Sequence, residues 1–200
     1  MWLSHLTLNE RDRDAIRDLS DCHELHRTIM RAFPDSDDGA ARQQHGVLFR
    51  VDGDPPQVLV QSTARPNWGW HERGYATVRG PKRMPLDTST VTSGTSFRFR
   101  LVANPVTRHD GKRTPIVGED AQLAWLERQG DRHGFRVRTA TVARHSDVVG
   151  GGRRDNRIVH RCARFDGRLD VTDADTFVAA VKAGIGPGKA HGLGLLTLAR

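Results

Sequence analysis

The run Cys22-His23-Glu24-Leu25-His26-Arg27 gathers a thiol, two imidazoles and a carboxylate within two helical turns. Imidazole changes charge near neutral pH, so this segment has the means to move protons. His23 and His26 are three positions apart, about 60° from each other around a helix, to one side of the stripe Cys22, Leu25, Ile29. They flank a core rather than fill it. A zinc-protease HExxH motif needs ligands at i and i+4, which this HExH spacing does not provide. Cys22, His23 and His26 also lack a fourth ligand at any recognisable spacing, so no metal is assigned. A histidine near a helix N-terminus has its imidazolium disfavoured by the helix dipole, which leaves neutral base available near pH 7. That suits proton abstraction; the plainer alternative is a solvated surface histidine.

A second candidate is the loop after the last helical segment, with glycines at 184, 186, 188, 192 and 194 around Lys189. It is not a Walker loop, because Ala183 stands where the first glycine belongs and Ala190 follows Lys189. It is not a dinucleotide fingerprint, because the order is helix, glycines, strand. No nucleotide cofactor is therefore expected. Two readings remain: a tight helix exit with close packing, or backbone NH groups that a phosphodiester can approach, with Lys189 adding charge.

Charge favours an anionic partner. Residues 1–90 carry 12 basic and 13 acidic side chains, residues 91–200 carry 19 and 11, and 27 of the 31 basic residues are arginine. The arginine fork suits phosphate and guanine edges, although a GC-rich genome enriches arginine as well. With 36% hydrophobic residues the chain is expected to fold as a soluble protein. It has no apolar run of membrane-spanning length and no secretory signal at its start, and the two cysteines, Cys22 and Cys162, have no CxxC spacing. A reducing cytoplasm and no membrane partner are expected.

The elements that must position these groups follow from patterning. Residues 2–8 alternate as a strand, and the polar stretch 9–18 separates them from a helix that Asp21 and Glu24 cap and Pro34 stops. A hairpin joins 47–51 to 57–61 through Asp52-Gly53-Asp54-Pro55-Pro56, and 75–79 supplies a later strand. This is the first part of a ferredoxin-like unit. The pattern restarts at 96–104, where Phe97, Phe99 and Leu101 alternate with Arg98 and Arg100. A helix at 119–129, strands at 135–143 and 157–165, a turn at Asp166-Gly167 into 168–171, a helix at 173–183 and a strand at 195–199 complete it. The fold class is α+β, with two similar units in tandem: an N-terminal domain, 1–88, and a C-terminal domain, 92–200.

The helix DCHELHRTIMRAFPD, the segment FRFRLVANPVTRHDGKR, Ala124-Trp125-Leu126, and the ending FDGRLDV with GIGPGKAHGLGLLTLAR together resemble the CRISPR-associated repeat-processing endoribonuclease of the type I-E Cascade complex, the CasE family. The resemblance spans essentially the whole chain. It implies two ferredoxin-like (RRM-like) domains and metal-independent cutting of CRISPR precursor RNA at the base of the repeat stem-loop. There the 2′-OH attacks the adjacent phosphorus to give a 2′,3′-cyclic phosphate and a 5′-OH. It implies retention of the mature crRNA and association with other Cascade subunits. The family's essential helix histidine falls on His26; a tyrosine commonly stands three residues earlier, where this chain has His23. The resemblance divides RNA binding between a basic surface of the second domain and the cleft between the domains. The candidate contacts are Arg27 and Arg31 on the helix, Arg98, Arg100, Arg108, Lys112 and Arg113, the basic hairpin region with Arg144 and Arg157, within which Gly150-Gly151-Gly152-Arg153-Arg154 reads as a mobile tip, and Gly186, Gly188 and Lys189 of the glycine loop. A binding-only tandem RRM-like protein is the competing reading. It is weakened because neither FRFRLV nor LLTLA presents the expected stacking aromatics.

Overall fold

The computed structural model describes residues 1–36, 39–69, 74–87, 89–151 and 157–200, and they form two compact units. The first comprises Met1–Pro85, Val148–Val159 and Lys189–Gly192; the second comprises Leu86–Asp147, His160–Gly188 and Leu193–Arg200.

In the first unit β1 (Trp2–Leu8), β2 (Leu48–Asp52), β3 (Gln57–Ser62) and β4 (Ala76–Arg83) make an antiparallel sheet in the order β2-β3-β1-β4. Among the described residues three helices precede β2: α1 (Arg13–Ser20), α2 (Cys22–Met30) and the single turn α3 (Ala41–Gln44). The order is that of a ferredoxin-like sheet, although among the described residues no helix lies between β3 and β4. Alternation along β1 and β3 turns Leu6, Leu8, Val58 and Val60 to one side, where Leu25 and Ile29 of α2 join them with Phe49. Leu25 and Ile29 are at most 4% exposed, worth about 1.5 to 3 kcal/mol each. That burial fixes the rotation of α2 and thus the direction of its histidines.

The polar stretch 9–18 is not a mere connector. Asp12 accepts from the backbone N–H groups of Asp14 and Ala15, both at 3.0 Å, and starts α1. The helix buries Asp18, whose carboxylate accepts from Tyr75 Oη at 2.8 Å and from Arg17 Nη2 at 2.8 Å. The apolar face of α1 is only Ala15 and Leu19, and with a paired carboxylate buried beside them it leaves a short periodicity that is easily passed over. At α2, Asp21 caps as expected, accepting from the His23 N–H at 2.8 Å, but Glu24 pairs with Arg27 and Arg17 instead of closing a capping box.

The second unit holds β5 (Ser96–Ala103), α4 (Glu119–Arg132), β8 (Phe135–Arg144), β11 (Ala163–Val171), α5 (Ala174–Ala183) and β12 (Leu196–Ala199), with sheet order β12-β5-β11-β8. This is a complete ferredoxin-like βαββαβ arrangement. Its core packs Phe97, Phe99 and Leu101 with Trp125, Leu126, Phe135, Phe165 and Phe177. A hairpin of β6 (Val106–His109) and β7 (Lys112–Pro115) follows β5, turning at Asp110-Gly111. Between β8 and β11 lie the short paired strands β9 (Val148–Gly150) and β10 (Ile158–His160).

One turn expected from the sequence is absent. Asp166 and Gly167 lie inside β11, paired with Arg100 and Phe99 of β5. Gly167 is there for proximity: a Cβ would come within 2.0 Å of the Thr139 carbonyl oxygen on β8. No described helix is long and apolar enough to cross a membrane.

Candidate active site

With α2 held by Leu25 and Ile29, His26 is half-buried, its ring stacked on that of Phe49 at 6.4 Å between centroids and 21° between planes. Phe49 is 1% exposed and held in β2 opposite Val60, so the imidazole rests on a fixed surface. His26 Nδ1 is buried without a hydrogen-bond partner, which leaves Nε2 as the nitrogen open to a substrate. Burial, then the positive charges of Arg42 and His23, hold the His26 pKa below the ordinary histidine value. At neutral pH the ring is a free base.

Arg42 acts on it directly, and Lys189 neighbours Arg42. Arg42 on α3 is half-buried and donates Nη1 to the Val47 carbonyl at 3.2 Å; burial lowers its pKa from a very high value, and it keeps its charge. Lys189 opens a 3₁₀ turn, Lys189–His191, that packs on α2, and burial followed by the charge of Arg42 lowers its pKa. Placing His191 on that turn brings its ring edge-on to His23, with centroids 4.6 Å apart.

Asp21 ties this region together. Burial pushes its carboxyl up, but N–H donation from His23, Gly151 and Glu24 brings the pKa below the usual value. The Gly151 N–H reaches Asp21 Oδ2 at 3.2 Å, so β9 is tied to the start of α2. Beside it, burial and then the Asp21 charge push the Cys22 thiol up to about 11. A neutral base in the field of Arg42, which itself neighbours Lys189, is an arrangement for deprotonating a hydroxyl beside a phosphate.

The other residues singled out in the sequence are dispersed. Arg27 is exposed and paired with Glu24; Arg31, at the C-cap of α2, lines a cleft with Asp12, Asp14 and Asp18. In the second unit Arg98 donates to the Arg200 carbonyl at 3.0 Å and Arg100 to Asp166 at 2.6 Å, both on the outer face of the sheet. Arg108 and Arg113 face each other across the β6–β7 hairpin with Lys112 beside its turn, all exposed. Arg144 ends β8 and Arg157 precedes β10, both exposed. Arg153 and Arg154 lie outside the described residues.

Gly186 and Gly188 have φ of +80° and +84°, and a Cβ at each would meet Trp125 at 3.2 Å and Leu193 at 2.8 Å. Backbone conformation and packing therefore require glycine at both positions without any ligand. Sequence reasoning missed Arg42 and His191. Arg42 sits in a polar stretch with no motif, and His191 is hidden among glycines whose spacing speaks of backbone rather than of side chains.

Comparison with known proteins gives a consistent set of likenesses. A family model described as CRISPR associated protein matches residues 1–200. The chain is 36% identical, over the whole of both chains, to the CRISPR-associated endoribonuclease Cse3 of Thermus thermophilus. It is 29% identical to the CRISPR system Cascade subunit CasE of Escherichia coli, covering 90% of this chain and 92% of that one. Among solved structures, a CRISPR endoribonuclease Cse3 bound to 19-nucleotide RNA superposes with a TM-score of 0.89 at 33% identity, covering all of both chains.

Proposed function

The chain belongs to the CRISPR-associated protein family, whose model spans it from end to end, and on that premise we propose that it is an endoribonuclease that cuts CRISPR repeat RNA and remains on the product as a Cascade subunit. Its full-length likeness to an endoribonuclease, and its likeness over 90% of the chain to a Cascade subunit, support the activity and the partners. The observation that carries the chemistry is His26: neutral by environment, open at Nε2 and in the field of Arg42, which neighbours Lys189.

In this reading His26 Nε2 takes the proton from the ribose 2′-OH as the 2′ oxygen bonds to the adjacent phosphorus. The bond from phosphorus to the 5′ oxygen breaks, and that oxygen takes a proton from His23, one helical turn away. Arg42 and Lys189 offset the negative charge that builds on the phosphoryl oxygens. The products are a 2′,3′-cyclic phosphate and a 5′-OH, and solvent restores the two histidines. The reaction proceeds without a metal ion and in the cytoplasm.

The test is to incubate repeat RNA with the protein in EDTA and identify the product ends. Cyclic phosphate is expected, and RNA carrying a 2′-deoxy sugar at the attacking position should bind without being cut. Cutting of the deoxy substrate would refute 2′-OH attack, and binding with no cutting of either RNA would favour a binding-only module.

A further inference from the structure

In the sequence, Cys22 and His23 are two adjacent metal-ligand types with no partner at a recognisable spacing. The fold supplies one. The 3₁₀ turn of the glycine loop carries His191 to the start of α2, so that Cys22 Sγ and one ring nitrogen each of His23 and His191 all lie within 4.8 Å of one another. Four-coordinate zinc, with bonds of about 2.3 Å to sulfur and 2.0 to 2.1 Å to nitrogen, needs ligand atoms about 3.3 to 3.7 Å apart. Side-chain rotation of about 1 Å closes that gap. The two rings already meet edge-on, at 78° between planes, so closing requires no unstacking.

The surroundings suit an ion. Cys22 is 7% exposed, whereas both histidines are half-buried, so the sulfur lies inside and an outer position faces solvent. The backbone of β9 covers the inner side: a Cβ on Gly150 would stand 2.5 Å from Cys22 Sγ and 2.8 Å from His23 Cδ2. Asp21 is not a ligand, because backbone N–H groups hold both its oxygens, but it places a negative charge beside the group. One thiolate and two imidazoles select a soft or borderline divalent ion over magnesium or calcium.

We infer that Cys22, His23 and His191 form a three-ligand site for zinc or a similar divalent ion, and that filling it switches off RNA cutting. The thiol proton passes to solvent on binding, and a water takes the fourth position. The inhibitory part rests on the proposed function: a His23 coordinated through one ring nitrogen cannot become the imidazolium that gives its proton to the leaving 5′ oxygen, and the ion stands one helical turn from His26. Zinc would then be a brake on an enzyme that needs no metal.

Cobalt(II) reports the site without RNA. One equivalent added to the parent should produce thiolate-to-cobalt charge-transfer absorption, displaced by zinc and absent from Cys22→Ala. In cleavage assays zinc should slow the parent by about 10²-fold or more, the scale of a lost general acid, and EDTA should restore it. Cys22→Ala should cut like the parent in EDTA and resist zinc. No cysteine-dependent cobalt spectrum, or equal zinc inhibition of both proteins, would overturn the site. A chain that binds cobalt through Cys22 but cuts no repeat RNA in EDTA would uphold the site and sink the proposed function.

Discussion

Replacing Gly188 by alanine separates the two readings of the glycine loop. At φ +84° an L-residue pays about 1 to 2 kcal/mol of backbone strain. The new Cβ would also stand 2.8 Å from Leu193 Cδ1, and Leu193 is fully buried with little room to rotate away. Overpacking of this kind adds about 1 to 3 kcal/mol. Together they predict a fall in Tm of about 5 to 15 °C for a chain of this size. Gly94→Ala is the control, since Gly94 has φ +85° and a Cβ there would meet nothing within 4 Å. It should lose only the backbone share, about 1 to 2 kcal/mol. Calorimetry on both variants, followed by hairpin binding below their melting temperatures, gives the answer. A Gly188→Ala protein that melts like the parent yet binds RNA poorly would overturn the packing explanation and return the loop to the RNA.

Three further outcomes follow from the site and its support. Because His26 has a lowered pKa, the cleavage rate should rise with pH through a value below the ordinary 6.5 and level off near neutrality, and Arg42→Gln should move that inflection upward while reducing the salt dependence of RNA binding by about one ion. The same shift has a stability consequence: the unfolded chain takes up the His26 proton first, so stability should fall as pH drops below about 6.5, and His26→Gln should lessen that fall in chemical denaturation. Tyr75→Phe should cost about 1 to 3 kcal/mol by removing a donor from the buried Asp18 carboxylate, measurable as a shift in urea midpoint at constant slope.

Much of this was legible in the sequence where one physical signal dominated. The strand with Phe97, Phe99 and Leu101 alternating against Arg98 and Arg100 is half-exposed as its period requires. Asp21 caps α2, and the Leu25 and Ile29 stripe is buried. Signals failed where a tertiary contact reversed a local preference. Asp166-Gly167 has turn chemistry, but the strand crosses so close to Thr139 that glycine is needed in extended backbone. Helix α1 hides because only Ala15 and Leu19 face the core, beside a buried Asp18 that is satisfied by a tyrosine 57 residues away. The Cys22–Arg27 run pointed to His23 and His26 as candidates, yet Arg42 and His191 come near them only through folding, from a polar stretch and a distant loop. Arginine spacing could not say that Arg100 is held by Asp166.

The decisive measurement is the single-turnover cleavage rate of His26→Ala on repeat RNA in EDTA, taken together with its hairpin affinity. A general base of this kind is worth about 10² to 10⁴ in rate, so cutting should fall by that factor while affinity stays within a few fold of the parent. His26→Ala cutting at the parent's rate would contradict the assignment of His26 as the base.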